Sequence, residues 1–533
     1  MREIFPVAFQ WFVLISTTIL AGFICRSMIL SFIKKPIASS KNQENEASPK
    51  SQGATPDTND KTTSAANPKR HVKTKAKNAT SATATSANVT SELNVNEHGE
   101  LAQTHLYDKY DKHDKYDKYD KPPFYTIRQP AFWHIIILAA LSRVILYGVA
   151  YLASRVFIDS SGSFLGTLPK LWQRSDAPHY ISIAENWYVN TGEDRVFLVF
   201  LPLYPILIKL FAFVFGNAIF SGIFVSLISY IAACVLFYEI ALLIGQDENT
   251  AYHAVKYAVF FPASFFINGA FSEGLFLLTS ALFFHYLLRK KWTRAACFGL
   301  LASFTRYYGL LLAAPYAIEL IQTLKAPFGT TGGAKIGTTG GATFGTKVAA
   351  HRAGGCAPAA SSMSPSQITK CAAPILLIPA GTGLYLIINY AISGSFFQFL
   401  IYQRDHWNQH FAFFFDNMRN LAVNAFEFPR ATSATLFIPQ IICIILYIAL
   451  LSYGVISKFR VSLLAYLGVY FLLSISAFWM LSFPRYIFGA APMFPLMSSL
   501  GSKSRAADAL VSMVCFAGLI FLTIAYTCGF HVY

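Results

Sequence analysis

The chain has 533 residues, of which 54% are apolar, 16% are aromatic and only 13% are charged. A soluble globular domain carries about 25% charged residues, so this composition excludes an ordinary soluble domain and indicates a membrane protein. The formal net charge of +16 does not predict nucleic-acid binding, because much of the basic charge lies in short loops between apolar runs, where Lys and Arg mark the cytoplasmic side of a membrane.

Several apolar runs approach or exceed the roughly 20 residues that a helix needs to cross a bilayer. They predict an all-α fold, a polytopic bundle of transmembrane helices. The predicted spans are residues 5–25, 131–153, 219–244, 436–456, 463–481 and 510–528. The eight Cys form no CxxC pair, so no metal site is predicted.

Two segments precede the predicted membrane domain. Residues 1–36 are predicted to form a hydrophobic helix. The signs of a cleavable signal peptide, positive charge ahead of the apolar run and a small-residue cleavage site after it, are weak, which favours an uncleaved helix over one removed from the mature protein. Residues 37–125 are low in complexity and end in the triplets YDK, YDK, HDK, YDK and YDK. This composition predicts a disordered linker, with a partner-binding tail as the alternative for the triplets.

Residues 126–533 are predicted to form one polytopic membrane domain with a flexible Gly/Ala-rich insert at about 327–369. The insert repeats FGTTGGAK and IGTTGGAT, but it lacks the phosphate-binding pattern G-x-x-x-x-G-K-[ST]. We therefore interpret it as a flexible loop.

The charges of the loops predict which side of the membrane each loop occupies. Basic turns occur at 289–294, at Lys458/Arg460 and at Lys503/Arg505, and the segment 325–370 has five basic residues and no acid. The positive-inside rule places these segments in the cytoplasm. The loop 155–195, with four basic and five acidic residues, and the loop 393–432, with three of each, are placed outside.

This sidedness makes two structural demands. Residues 295–321 must form two half-helices that meet near Arg306 at the outer face. The stretch LPLYPILIKLF, which contains Pro202 and Pro205, must lie in the outer interface, since two prolines disfavour a plain spanning helix.

A polar island lies between apolar helices at residues 171–205, which read LWQRSDAPHYISIAENWY, a charged turn and FLVFLPLYP. We predict an amphipathic outer-face loop here, after the first core helix. Asp176, His179 and Tyr180 are spaced i, i+3 and i+4 and would share one face of a helix, and Glu185 follows. Ionisable groups beside a membrane core are costly, so the cluster is a functional hypothesis.

Further polar residues are predicted at the same face. They are Asn268, Ser272 and Glu273 of FINGAFSEGLF, Arg306 of LASFTRYYGL, and Arg485 and Tyr486 of FPRY. A carboxylate can accept the proton of an attacking hydroxyl, and arginines bind phosphate through charge-assisted bonds. The alternatives are a merely solvated Asp176, a structural His179 and an Arg485 that reaches the membrane interface.

The same residues carry a family resemblance. The string R-S-D-A-P-H-Y-x-x-I-A-x-x-x-Y with L-P-L-Y-P, the block F-P-A-S-F-F-I-N-G-A-F-S-E-G-L-F-L-L, the element S-F-T-R-Y-Y-G-L and the turn P-R-Y follow in order. Together they resemble the PIG-V family of GPI mannosyltransferase 2-like proteins, over roughly residues 130–500. Ser175 stands where that family has Trp, and Trp187 where it has Gly. The segment S-G-S-F-F-Q-F-L-I-Y-Q-R-D-H-W is similar to bacterial members.

The resemblance implies a GT-C glycosyltransferase with its active site at the extracytoplasmic or luminal face. The donor would be polyprenyl- or dolichyl-phosphate-mannose, and the acceptor a hydroxyl group on a lipid or envelope glycan. Eukaryotic members act in GPI anchor biosynthesis. We expect a bacterial plasma membrane, or the endoplasmic reticulum membrane in a eukaryote. Divalent metal dependence and partner subunits stay open.

On this reading Asp176 is the catalytic base, and the other outer-face residues bind substrates: His179, Tyr180, Glu185, Asn268, Ser272, Glu273, Arg306, Arg485 and Tyr486. The alternative function is a membrane transporter or a lipid-linked-sugar flippase, which should place charges through the whole membrane depth and show an internal repeat. The ionisable residues gather at one predicted face without a clear repeat, which favours the enzyme. A scaffolding membrane protein would leave Glu273 and Arg306 unexplained.

Overall fold

The computed structural model describes residues 129–158, 162–325, 364–478 and 480–533, all of which belong to one compact unit. The predicted N-terminal helix, the linker with its YDK triplets and most of the Gly/Ala-rich insert lie outside these residues. The described residues are helical, and the one β-type pairing among them is an isolated antiparallel bridge between Phe411 and Ala477. The all-α prediction is therefore confirmed for this part of the chain.

Residues 129–325, as far as they are described, form nine α-helices. In chain order these are α1 Gln129–Phe157, α2 Phe164–Leu171, α3 Ala177–Asn186, α4 Leu203–Phe215, α5 Ala218–Leu243, α6 Glu248–Phe260, α7 Glu273–Leu288, α8 Trp292–Thr305 and α9 Ala313–Lys325. Short 3-10 helices lie between them at Glu193–Val199, Pro262–Asn268 and Tyr307–Leu312. Side chains of Ser163, Asn217 and Asp247 cap the N-termini of α2, α5 and α6 by accepting backbone N–H bonds.

The described residues after the insert form the second group of helices. They are α10 Pro365–Ser393, α11 Gln398–Trp407, α12 Phe414–Glu427, α13 Arg430–Ile456, α14 Val461–Ile475, α15 Phe483–Phe488, α16 Met493–Gly501 and α17 Arg505–Thr527. A capping box between Ser364 and Gln367 starts α10. Residues 365–369, which the sequence assigns to the end of the flexible insert, are therefore helical.

Five described helices, α1, α5, α10, α13 and α17, are long and apolar enough to cross a membrane, as expected of a multi-pass membrane protein. The number rises to seven if each of two sharply bent helix pairs is one span: Glu193–Val199 with α4, bent by 112°, and Pro262–Asn268 with α7, bent by 109°. Four predicted spans correspond to α1, α5, α13 and α17. The predicted span 463–481 is shortened, because α14 ends at Ile475 after 15 residues. The span α10 was not predicted.

The centre of the bundle is the contact between α5 and α7, both of which are mostly buried. A Cβ atom on Gly274 would lie 2.4 Å from the backbone oxygen of Ser226, so only glycine permits this close approach of the two helices. Ser226 also donates a hydrogen bond to the carbonyl oxygen of Ile267 and so ties the bent 3-10 turn to α5. The central contact therefore fixes the segment that leads into α7.

Basic turns gather at one end of the bundle. The buried carboxylate of Glu319 on α9 pairs with Lys290 at 2.6 Å and with Arg460 at 2.6 Å. Lys503 lies over the ring of Tyr453 at 4.7 Å, near the C-terminus of α13. The three predicted cytoplasmic turns are thus confirmed to share one end, while the identity of that side as cytoplasmic stays a prediction.

The predicted interruption near Arg306 is confirmed. α8 ends at Thr305, Arg306 is extended (φ −152°, ψ 147°), and the 3-10 helix leads into α9. A Cβ atom on Gly309 would lie 2.2 Å from the backbone nitrogen of Ser303, so the chain folds back tightly on the end of α8. Placement of this turn at the outer face, and of α4 in the outer interface, stays a prediction.

Candidate functional site

Asp176 lies at the start of α3, immediately after Ser175, whose φ of 54° turns the chain sharply. Its side chain is 27% exposed, and Oδ2 lies 2.6 Å from Nη2 of Arg485. Arg485 comes from the short helix α15, more than 300 residues further along the chain. Two sequence-predicted residues are therefore brought into direct contact.

Glu273 joins the two predicted arginines. It is the first residue of α7 and is almost fully buried. Its Oε1 accepts a hydrogen bond from Nη1 of Arg306 at 2.7 Å and another from Nε of Arg485. A carboxylate at this position is also favoured by the helix dipole. The expectation that a buried Glu273 needs a partner is confirmed, and we call Asp176, Glu273, Arg306 and Arg485 the ionic cluster.

Two aromatic rings support Arg485. Its guanidinium carbon lies 4.9 Å from the ring centres of both Phe266 and Phe271. Cation–π contacts of this kind gain strength where water is excluded. The side chain is 5% exposed, so its orientation is fixed by two carboxylates and two rings.

Tyr180 and Ser272 continue the network at the edge of the ionic cluster. The two hydroxyl groups are 2.9 Å apart, and Nη1 of Arg306 donates to Oγ of Ser272 at 3.2 Å. Burial raises the pKa of Tyr180 to about 12, although Arg306 acts to lower it. The phenol therefore stays protonated. Its position one helical turn after Asp176 confirms the predicted i, i+4 arrangement on α3.

His179 lies among aromatic rings and not within the ionic cluster. Its ring centre is 4.5 Å from that of Phe197, 5.3 Å from that of Phe200 and 6.5 Å from that of Trp407. Burial lowers the pKa of His179, although Asp176 acts to raise it. The imidazole is accordingly neutral near pH 7.

Three predicted site residues form no hydrogen bond or ion pair with the side chains of the ionic cluster in the described part of the chain. Glu185 is exposed near the far end of α3, about 13 Å along the helix axis from Asp176, and does not join the cluster. Asn268 is fully buried, and its Nδ2 donates to the carbonyl oxygen of Arg143 at 3.0 Å. Tyr486 packs its ring 5.9 Å from that of Tyr308. The side chain of Asn268 is thus inaccessible to a solute and binds the backbone of α1 instead.

The sequence reasoning missed Arg143. This buried arginine on α1 donates to the carbonyl oxygens of Ser264 at 2.6 Å and Val259 at 2.9 Å. It thereby holds the turn that leads to Glu273. An arginine inside a predicted span was the available signal, because charged residues within a membrane are costly and pair with backbone carbonyls when they persist.

Two tyrosine hydroxyls hold the predicted outer-face loop onto the bundle, and a third joins two parts of the loop itself. Tyr385 donates to the carbonyl oxygen of Leu198 at 2.6 Å, Tyr307 to that of Val199 at 2.9 Å and Tyr188 to that of Phe200 at 2.6 Å. Consecutive backbone groups in an apolar setting need such partners. The loop is therefore an ordered wall beside the ionic cluster.

The ionic cluster contains two carboxylates and two guanidinium groups, so its formal charges balance. The carboxylates differ in access, since Asp176 is 27% exposed and Glu273 is 1% exposed. Asp176 is thus the carboxylate that a solute can reach, and Glu273 orients the arginines. Among the described residues, no group of three or more His, Cys, Asp or Glu side chains could hold a metal ion.

No family model, curated protein or solved structure matches this chain. The fold and the site alone define the class, which is a multi-pass helical membrane protein with a charge-balanced ionic cluster at the end of the bundle opposite its basic turns.

Proposed function

We propose that the protein is a GT-C type glycosyltransferase of the PIG-V family that transfers mannose from a polyprenyl-phosphate donor to a hydroxyl acceptor. The observation that carries the proposal is the convergence of Asp176, Glu273, Arg306 and Arg485 from four separate segments. A solvent-accessible carboxylate beside two arginines fits a reaction that removes a proton and releases a phosphate.

In the proposed reaction Asp176 accepts the proton of the acceptor hydroxyl while the hydroxyl oxygen attacks C1 of the sugar. The bond between C1 and the phosphate oxygen breaks, and its electron pair leaves with the polyprenyl phosphate. The configuration at C1 is inverted because attack and departure occur on opposite faces. The 27% exposure of Asp176 supports its role, since the acceptor must reach it.

Arg306 and Arg485 are proposed to bind the phosphate as negative charge develops on it. A guanidinium has five N–H donors, and the contacts with Glu273, Ser272 and Asp176 leave donors of both arginines for a phosphate. Fixed donors in a water-poor site stabilise a developing anion without reorganising at the moment of reaction.

A lipid-linked donor is supported by the surroundings of α4. Tyr204 at its start packs edge-on against Tyr180 at 5.0 Å. Further along, α4 exposes Leu210, Phe213 and Val214, of which Phe213 is 92% exposed. An apolar surface next to the site would leave the isoprenoid tail in lipid while the sugar meets the acceptor. The acceptor is proposed to be a lipid or envelope glycan, or a GPI precursor if the membrane is that of the endoplasmic reticulum.

One observation favours the second candidate, a transporter or lipid-linked-sugar flippase. Nδ1 of His285 lies 2.7 Å from Oε2 of Glu239, and both side chains are buried between α7 and α5, away from the ionic cluster. Ionisable pairs inside a bundle mark transport pathways in other membrane proteins. The enzyme accounts better for Asp176, because a passive pathway does not require an acid paired with a phosphate-binding arginine.

The test is a transfer assay with membranes that contain the protein, labelled polyprenyl-phosphate-mannose and a lipid acceptor extract. Asp176→Asn is expected to lower the transfer rate by about 10²–10⁴-fold, which is the usual contribution of a general base. Glu185→Gln is the matched control, since it removes an exposed acid of the same helix outside the ionic cluster. Full activity of Asp176→Asn would show that Asp176 is not the general base. If the wild type transferred no sugar but flipped a labelled lipid-linked sugar across the membrane, the flippase would be favoured.

A further inference from the structure

A cleft of about 240 Å³ lies beside α12, outside the ionic cluster. Asn417, Asn420 and Asn424 line one side of it, and Phe437, Phe478 and Met480 are among the residues of the other side. We call it the amide cleft. The three asparagines are spaced i, i+3 and i+7, so they lie within about 60° of one another around the helix axis.

The three asparagines differ in what they bind within the protein. Asn417 is buried, and its Nδ2 donates to the carbonyl oxygens of Ile475 at 2.8 Å and Ala477 at 3.0 Å. Its side-chain amide is therefore fixed in orientation. The side chains of Asn420 and Asn424 form no hydrogen bond with any described residue. Two amides with free donors and acceptors thus line the amide cleft beside a third that is held in place.

The lining selects a chemical class of ligand. No charged side chain is among the described residues that line the amide cleft, so an anion would lack a counter-charge. An apolar chain would bury the amides without partners, which is unfavourable. A neutral sugar suits the lining, because its hydroxyl groups can donate to and accept from amides while its C–H faces pack against Phe437 or Phe478.

The size of the amide cleft fits one sugar ring. A dry cavity of about 150 Å³ binds benzene, so 240 Å³ leaves room for a six-membered ring with its hydroxyl groups.

The amide cleft adjoins the ionic cluster along the chain and through contacts. Leu481 lines the cleft and Arg485 follows four residues later, so their Cα atoms are at most about 14 Å apart. The backbone N–H of Phe478 donates to the carbonyl oxygen of His410 at 2.8 Å, and the neighbouring Gln409 donates to the hydroxyl of Tyr486 at 3.4 Å. One strip of chain therefore contacts both the wall of the cleft and the residue next to Arg485.

We infer that the amide cleft binds a neutral sugar ring and, on the basis of the proposed function, that it holds the glycan of the acceptor. A glycan that fills the amide cleft would extend its neighbouring sugar residue toward the ionic cluster, where Asp176 would accept the proton of its hydroxyl. The donor phosphate, which needs the arginines, is bound elsewhere in the same site.

The test measures binding of methyl α-D-mannopyranoside to the full chain in lipid nanodiscs, free of glycosidic detergents, by saturation-transfer NMR. The double variant Asn420→Leu/Asn424→Leu is expected to raise the dissociation constant about tenfold or more, because two hydrogen-bonding side chains are lost. Neither side chain has a partner among the residues that the structure describes, so thermal unfolding should match the wild type. Asn249→Leu, at an exposed position on α6, is the matched control and should bind normally. Equal binding by the double variant, or no binding by the wild type, would overturn the inference.

Transfer kinetics separate this inference from the proposed function. The double variant should raise KM for the acceptor and leave KM for the donor unchanged, whereas Asp176→Asn should lower turnover by about 10²–10⁴-fold and keep mannoside binding. Transfer with an unchanged acceptor KM in the double variant would overturn the amide cleft and leave the transferase standing. Mannoside binding that depends on the amides, in a protein without transfer activity, would support the amide cleft and contradict the transferase.

Discussion

Glu273→Gln tests the physical basis of the ionic cluster. Oε1 of Glu273 holds both Arg306 and Arg485 in a setting where the three side chains are 1%, 13% and 5% exposed. Removing one partner of a buried ion pair costs about 3–5 kcal/mol, because a charge is left without compensation. Arg485 retains Asp176, so the uncompensated charge in the variant is mainly that of Arg306, whose remaining partner is Ser272. We therefore expect a loss of about 3–5 kcal/mol in the free energy of unfolding rather than twice that value.

The measurement is reversible unfolding in mixed micelles with increasing SDS, followed by labelling of the buried thiols of Cys234 and Cys515. Glu185→Gln changes the same chemical group at an exposed site and should stay within about 0.5 kcal/mol of the wild type. If Glu273→Gln unfolded at the same SDS concentration as this control, the reasoning that one carboxylate fixes both arginines would be refuted.

Three further predictions concern other parts of the molecule. Glu319→Gln should lower the free energy of unfolding by about 3–5 kcal/mol at pH 7 without changing the transfer rate per folded molecule. Burial acts to raise the pKa of Glu319, but Arg460 and Lys290 lower it to about 2. The contribution of Glu319 to the free energy of unfolding is therefore fully present above pH 4.5 and decreases as pH falls toward 2. Denaturant titrations at a series of pH values should show a smaller loss of stability below pH 4.5 in the variant than in the wild type. Burial lowers the pKa of His179 below its usual 6.5, although Asp176 acts to raise it. The free energy of unfolding should therefore decrease as pH falls below 6.5, by at most about 1.4 kcal/mol per pH unit. His179→Phe should remove this decrease in the same titration. The predicted membrane topology can be tested with an impermeant maleimide added to intact cells, which should label Glu185→Cys but not Ser502→Cys. The reverse labelling pattern would show that the topology is the opposite of the predicted one.

The sequence was sufficient to predict the ionic cluster because its residues are expensive to keep in an apolar chain. An acid such as Glu273 or an arginine such as Arg306 within an apolar run demands a partner, and the partners available at the same predicted face were few. The helix interruption at Arg306 was predicted from the charges of the loops, because the positive-inside assignment requires two half-helices in residues 295–321. Both features depend on strong local energies, which is why they are visible without a structure.

The remaining features depend on geometry that no local pattern carries. The spacing of Asp176 and Glu185 in the sequence does not reveal that only Asp176 reaches the ionic cluster, whereas Glu185 is exposed near the other end of the short helix α3. The polarity of Asn268 suggested a ligand contact, whereas the structure uses the side chain to bind the backbone of Arg143. The end of α14 at Ile475 is set by the pairing of residues 476–478 with 410–412, a contact between segments distant in sequence.

The two ends of the bundle provide an internal comparison between an ion cluster with a fully buried acid and one that also contains an accessible acid. At the basic end, Glu319 uses both carboxylate oxygens, accepting from Arg460, Lys290 and Ser462, and within the described part of the chain no second acid pairs with these cations. At the other end, Glu273 again serves two cations, but a second acid, Asp176, is added and is 27% exposed. The charge of Asp176 balances the second buried arginine, which Glu273 alone does not, whereas Lys290 and Arg460 at the basic end are 31% and 34% exposed and are partly screened by water. The two ends therefore differ in access: a solute can reach one carboxylate of the ionic cluster, as the proposed chemistry requires, whereas the carboxylate of Glu319 is 0% exposed. Glu319→Gln should accordingly affect folding alone.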